Sequence, residues 1–265
     1  MSRRTPRSAC ESPDPPDERV NLEFSISSWA ACGPELATPD SWRAWAAEPR
    51  VPAGEVQASL PQVPPMVRRR LNALGRTALQ AAFDVHTPAP EVPVVFGSRY
   101  GDAGRSLELL AELVRGEPLS PTAFGLSVHN AIGAMYSLIR GDRANYVSVA
   151  AGSGTAAAAV VEAAGLLADG APEVLVVFCD APLPGAYAVF EDGPTTMHAW
   201  AWRVTPPLAG QERFSLSAAP AAGTLAPEYP ELPFGLDVMR FVASGAPCLQ
   251  RVAGETVWTW RRHHA

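Results

Sequence analysis

Apolar positions fall into short blocks along the chain, and their period switches between two residues and about three and a half. From Asn21 onward, Leu22, Phe24 and Ile26 alternate with polar neighbours until the turn Cys32-Gly33-Pro34, which predicts a strand. Thr38-Pro39-Asp40 reads as a helix start, with Trp42 and Trp45 three apart on one face. Val67, Leu71, Leu74, Ala78 and Ala82 recur at helical spacing and predict one helix from about Pro65 to Phe83. Val92 to Phe96 is an apolar strand ending in Gly97-Ser98. Residues 103–115 place Leu107, Leu110 and Val114 on one helical stripe, and Ser120-Pro121 opens another helical stretch, clearest from Asn130 to Ile139. Tyr146 to Val149 is a buried strand, followed by the break Gly152-Ser153-Gly154 and an alanine-rich helix to about Ala168. Val174 to Phe178 is a further apolar strand, and Met197 to Val204 alternates as a half-exposed strand does.

Strands alternating with helices predict parallel βαβ units in a layered α/β sheet. The composition shifts after Thr205. Residues 205–233 are rich in Pro, Ala and Gly and read as a linker or extended loop. A short helix near Leu236 to Ala243 and a terminal strand, Thr256 to Trp260, follow. Residues 1–19 are polar and proline-rich and read as a disordered arm.

Composition narrows the function. The 265 residues are 47% hydrophobic and 18% charged with a net charge of −6, so no global basic face is offered to nucleic acid or an anionic membrane. All 21 basic residues are arginine, which excludes a Walker-type phosphate loop, a pyridoxal Schiff base and any catalytic lysine. Cys10, Cys32, Cys179 and Cys248 show no C-x-x-C spacing, and the histidines form no metal-type pair with them. Neither a zinc site nor a disulfide framework is expected, and no cofactor. The early arginines precede no apolar signal core, and no apolar run is long enough to span a bilayer, so the expected location is cytoplasmic.

The junction from Asn145 to Asp180 admits several readings. Gly152-x-Gly154-x-x-Ala157 follows a strand and opens a helix, and Asp180 ends the next strand, which is the outline of a dinucleotide-binding turn and its ribose carboxylate. The unit begins far into the chain, whereas such a turn normally occupies the first strand of its domain. Ser153 has the wrong spacing for the G-x-S-x-G nucleophile elbow and is better read as a helix N-cap.

A third reading covers more of the chain. Val67-Arg68-Arg69-Arg70-Leu71, Val94-Val95-Phe96-Gly97-Ser98, Ser120-Pro121-Thr122-x-Phe124-x-x-Ser127-Val128-His129-Asn130-Ala131 with Gly133, and Ser148 to Gly154 with the Gly170 to Asp180 strand occur in order. Together they resemble the N-terminal half of β-ketoacyl synthases, the condensing enzymes of the thiolase fold. The segment from Ser120 to Ala131 resembles in particular the short ketosynthase-like N-terminal domain proteins of aryl-polyene-type clusters, chain-length-factor-like partners of a true ketosynthase.

The resemblance implies half of a thiolase fold over residues 20–204: a mostly parallel five-stranded sheet, order 3-2-1-4-5, with a buried central helix. Residues 205–265 would form a linker and a Pro/Ala-rich extension. The family's elbow cysteine, activated by a helix N-terminus, corresponds to Ala151, which cannot form a thioester. The histidine-bearing C-terminal half has no counterpart; His263 and His264 read as a frayed tail, and His198 as packed or half exposed. Hence the expectation is a non-catalytic subunit that pairs with a catalytic β-ketoacyl synthase in polyketide, aryl polyene or fatty-acid-like elongation; the alternatives are a dinucleotide-binding oxidoreductase built on Gly152, Gly154 and Asp180, or a stand-alone acyl-carrier or acyl-thioester binding module. Tyr146, Val147, Ser148 and Val149 would form an edge strand open to that partner. His129 and Asn130 are either contacts beside an acyl tunnel or interface, or residues that satisfy backbone at a helix entry. Arg68 to Arg70 is either a solvated patch or a steering surface for an acidic acyl carrier protein.

Overall fold

The computed structural model describes residues 20–85, 91–141, 143–221 and 226–263; the expected arm at residues 1–19 and His264 lie outside the described residues. In chain order the elements are β1 (Val20–Cys32), α1 (Pro39–Ala47), α2 (Pro65–Arg68), α3 (Ala73–Asp84), β2 (Val94–Gly97), α4 (Ala103–Val114), α5 (Pro121–Gly125) and α6 (Ala131–Arg140). They continue with β3 (Tyr146–Val149), α7 (Thr155–Ala168), β4 (Val174–Asp180), a 3-10 turn (Gly185–Phe190), β5 (His198–Thr205), β6 (Arg213–Pro220), α8 (Phe234–Ser244), β7 (Cys248–Ala253) and β8 (Thr256–His263).

Local chemistry sets the helix boundaries. Thr38 and Ser41 form a reciprocal capping box at α1, whose Trp42 and Trp45 are buried edge to face at 5.3 Å. The single helix expected over 65–83 is two. Asn72 Oδ1 accepts the Gly75 N–H at 2.9 Å and starts α3 afresh, so the arginine run lies at the break. A similar interruption divides 120–139, where Ser120 caps the one-turn α5 and α6 begins only at Ala131.

All eight strands join one sheet in the order β3-β2-β4-β5-β1-β6-β8-β7. Only β2–β3 and β2–β4 are parallel; the remaining pairings are antiparallel. The expected mostly parallel, five-stranded sheet is thus corrected. Helical crossovers connect β2 to β3 and β3 to β4, whereas the neighbours β4–β5 and β7–β8 are joined without an α-helix and run antiparallel. The expected order 3-2-1-4-5 also changes, because β1 lies between β5 and β6. β3 keeps its place at the edge.

Both faces of the sheet are covered. One core gathers Trp42 and Trp45 of α1, the alanines of α7, Phe241 of α8, and Trp200, Trp202 and Trp260. The other gathers α3, Tyr136 of α6, Cys32, Cys179, Ala199 and Ala201. β5 is therefore not half exposed. Its alternation is one of size, with Trp200 and Trp202 on one face and Ala199 and Ala201 on the other, all buried.

Residues expected as a linker contain β6, which pairs with β1 from Val20↔Ala218 to Ser25↔Arg213. The elements beyond it are tied down by buried charge. Asp237 Oδ1 accepts from Arg240 Nε at 2.6 Å and Oδ2 from Arg251 Nη1 at 3.0 Å, and Arg262 donates to the carbonyls of Phe241 and Val242. His263 is no frayed tail: it pairs with Arg213, and its Nε2 lies 2.9 Å from Ser215 Oγ. The β7–β8 hairpin reaches α7. A Cβ placed on Gly154 would lie 3.3 Å from Ala253 Cβ and 3.4 Å from Trp258 Nε1.

Candidate functional site

The elbow between β3 and α7 is built from small residues because the chain reverses there within hydrogen-bonding distance of itself. Gly152 has φ +53°, a conformation that costs glycine little. The Ala151 N–H donates to Thr155 Oγ1 at 2.9 Å, and that hydroxyl donates to the Gly152 carbonyl at 2.7 Å. The expected cap at Ser153 is corrected: Gly154 is the N-cap, and Thr155 supplies the side-chain hydroxyl. Ala151 is exposed at the start of a 14-residue helix whose first turns are buried.

Four side chains from distant segments form a cluster that reaches this turn through Asp192. Arg99 and Tyr100 follow β2, Asp180 ends β4, and Asp192 comes from the loop before β5. The Arg99 N–H donates to Asp180 Oδ1 at 2.8 Å, and its Nε lies 3.5 Å from Asp180 Oδ2. Arg99 Nη1 and Tyr100 Oη both donate to Asp192 Oδ1 at 2.8 Å. The other oxygen, Oδ2, lies 3.6 Å from where a Cβ on Gly152 would stand. Burial pushes Asp180 up to about 6 despite the Arg99 cation beside it. Behind it, burial drives His198 down to about 4. Sequence reasoning missed Arg99, Tyr100 and Asp192, since no spacing links them to the elbow.

The structure also places the residues singled out by sequence. The dinucleotide pair is not brought together, because β2 lies between β3 and β4 and Asp180 is occupied by Arg99 and Ser98. Cys179 is buried, and burial raises its thiol above the ordinary range; Cys32 is pushed up to about 12 for the same reason. Neither faces the elbow as a thiolate. Among the described residues no group of three His, Cys, Asp or Glu could hold a metal, and no helix is long and apolar enough to cross a membrane.

On β3, Tyr146 packs on Gly133 of α6, where an added Cβ would meet its ring at 2.8 Å. The His129 Nε2 lies 2.8 Å from the Ser98 carbonyl, and its ring packs on Gly101. Asn130 begins α6, and its Nδ2 lies 3.5 Å from Tyr146 Oη. Several large apolar side chains are exposed: Leu110, Leu113 and Val114 of α4, Phe124 of α5, and Leu138 of α6, the helix that packs on β3. Arg69 and Arg70 are exposed at the α2–α3 break, whereas Arg68 turns inward to the Ser59 and Leu60 carbonyls.

A parallel pair leading into a small-residue elbow and a buried alanine-rich helix agrees with one family comparison. The profile of the family described as β-ketoacyl synthase, N-terminal domain, matches residues 42–261. The chain belongs to that family. The ketosynthase match runs from α1 through β6, α8 and β7 into β8. No curated protein matches the chain. Among solved structures, this ketosynthase-like domain is similar to a chain from the complex of the ketosynthase ApeO with its chain length factor ApeC from Xenorhabdus doucetiae. The identity is 27% and the TM-score 0.76, with 91% of this chain and 100% of that chain covered. A chain of AntDE:AntF, a type II polyketide acyl-carrier protein in complex with its ketosynthase, shares the fold at 11% identity and TM-score 0.64. It covers 93% of this chain and 100% of that one. A β-ketoacyl synthase from Burkholderia phymatum STM815 shares it at 12% identity and TM-score 0.57, over 85% of this chain and 71% of that one.

Proposed function

We propose that this ketosynthase-like chain is a non-catalytic, chain-length-factor-like subunit. It pairs with a catalytic β-ketoacyl synthase in polyketide, aryl polyene or fatty-acid-like elongation. The observation that carries the reading is Ala151: the elbow is formed, exposed and at a helix start, yet the position that corresponds to the family's nucleophile carries a methyl group. The similarity to a chain of the ApeO–ApeC complex supports the partner, as do the free β3 edge and the exposed apolar side chains of α4, α5 and α6. Tyr146 to Val149, with His129 and Asn130 behind them, lie at that interface or beside the acyl tunnel it encloses. An acyl carrier protein is a further partner, and the exposed Arg69 and Arg70 offer an acidic carrier helix a basic contact.

Co-expression with a ketosynthase encoded alongside this chain, followed by pull-down and a condensation assay, tests the reading. Stable co-purification is expected, with condensation that depends on the partner's nucleophile. Condensation of acyl and malonyl thioesters by this chain alone would refute it.

A further inference from the structure

Position 151 lacks more than a thiol. Asp192 is held at the elbow by two donors, and both engage the same carboxylate oxygen. The backbone N–H of Asp192 in turn donates to Tyr100 Oη at 3.2 Å, which fixes the side chain's approach. The second oxygen lies 3.6 Å from where a Cβ on Gly152 would stand, one residue from position 151. Around it, one cation, Arg99, is shared by two carboxylates, Asp180 and Asp192. With both ionised the cluster keeps a net negative charge. Tyr100 contributes only a neutral hydroxyl, and His198 is buried behind Phe178.

Acyl transfer at an elbow needs the opposite field. A thiolate and a thioester oxyanion are both anionic, and the N-terminus of a long helix favours them. We propose that Asp192 is an electrostatic guard of the elbow, its carboxylate set by Arg99 and Tyr100 so that an anion at position 151 is disfavoured. The inference deepens the non-catalytic reading and rests on it for its biological sense. Two separate features then silence the turn: a missing nucleophile, and a field unsuited to any nucleophile placed there.

The test introduces a reporter thiol with Ala151→Cys. Its ionisation is followed by the rate of iodoacetamide alkylation against pH, read by mass on the peptide carrying residue 151. The expected midpoint is at or above that of an ordinary cysteine, about 8.5. In Ala151→Cys/Asp192→Asn it should fall, raising the thiolate fraction at neutral pH about tenfold, whereas Asp192→Glu should leave it high. A second readout needs no change at Asp192. If the carboxylate dominates, added salt lowers the midpoint of the single variant; if the helix dipole dominates, salt raises it. A thiol that titrates well below 8.5 in the single variant, or a midpoint that rises with salt, overturns the proposal. The subunit reading is judged separately, by whether the natural chain condenses acyl units without a partner.

Discussion

Asp180 and His198 are Cα partners in the β4–β5 ladder, and burial moves their titrations in opposite directions. Between the ordinary 3.8 of an aspartate and about 6, the folded chain holds a proton on Asp180 that the unfolded chain has released, so stability falls as pH rises. Between about 4 and the ordinary 6.5 of a histidine, the unfolded chain protonates His198 and the folded chain does not, so stability rises. Each effect is on the order of 3 kcal/mol, and over most of that window they oppose one another. Asp180→Asn should therefore expose the histidine slope, with the urea midpoint climbing from pH 4 to 6.5, and His198→Gln the reverse. Two variants with the same flat profile would refute the assignment. At this scale the sequence was a partial guide. Asp180 stood out as the carboxylate ending a strand, but its ligand is Arg99, and Asp192 lies far along the chain from the turn it faces.

The edge strand shows why an element must be read with its ladder. Val94 N–H donates to the Asn145 carbonyl and Ser98 N–H to the Val149 carbonyl, so Asn145, Val147 and Val149 direct their backbone groups at β2. The N–H and C=O of Tyr146 and Ser148 are left on the free edge. Ser148→Pro should thus remove an outward donor and keep the β2–β3 ladder. The expected outcome is a folded chain by circular dichroism that no longer co-purifies with the ketosynthase. Val147→Pro breaks the inner ladder and should lower stability as well. Should Ser148→Pro stay folded and still bind, strand pairing is not the contact, and the α4–α6 surface becomes the place to look. Periodicity found β1, β3, β4, α1 and α7 because each has one clear pattern. It missed β6 and β7: Arg213-Phe214-Ser215-Leu216-Ser217-Ala218 alternates weakly between proline-rich flanks, and β7 mixes polar and apolar positions. The break before α3 was hidden by a hydrophobic stripe that continues across Asn72.

For the molecule as a whole, pairing between distant segments was not legible, since strand order depends on which edges meet and not on local pattern. The sheet continues beyond residue 204, and its last strands share a core with α7. Removing Asp237, which is fully buried, would leave Arg251 without its carboxylate and Arg240 with only the exposed Glu228 at 3.9 Å. Asp237→Ala should cost about 3–5 kcal/mol in urea unfolding; an unchanged midpoint would mean the network adds nothing. Cutting the chain after Val204 should yield an insoluble product, because Phe214, Phe241 and Trp260 leave the core together. The central place of β1 has one further consequence. Its neighbours, β5 and β6, are separated from it by most of the chain, with Ser25 opposite Thr205 and Val20 opposite Ala218. On the ribosome, β1 must wait for about 170 further residues before it has a ladder on either side. Nascent chains arrested before β5 should therefore remain open to protease throughout β1.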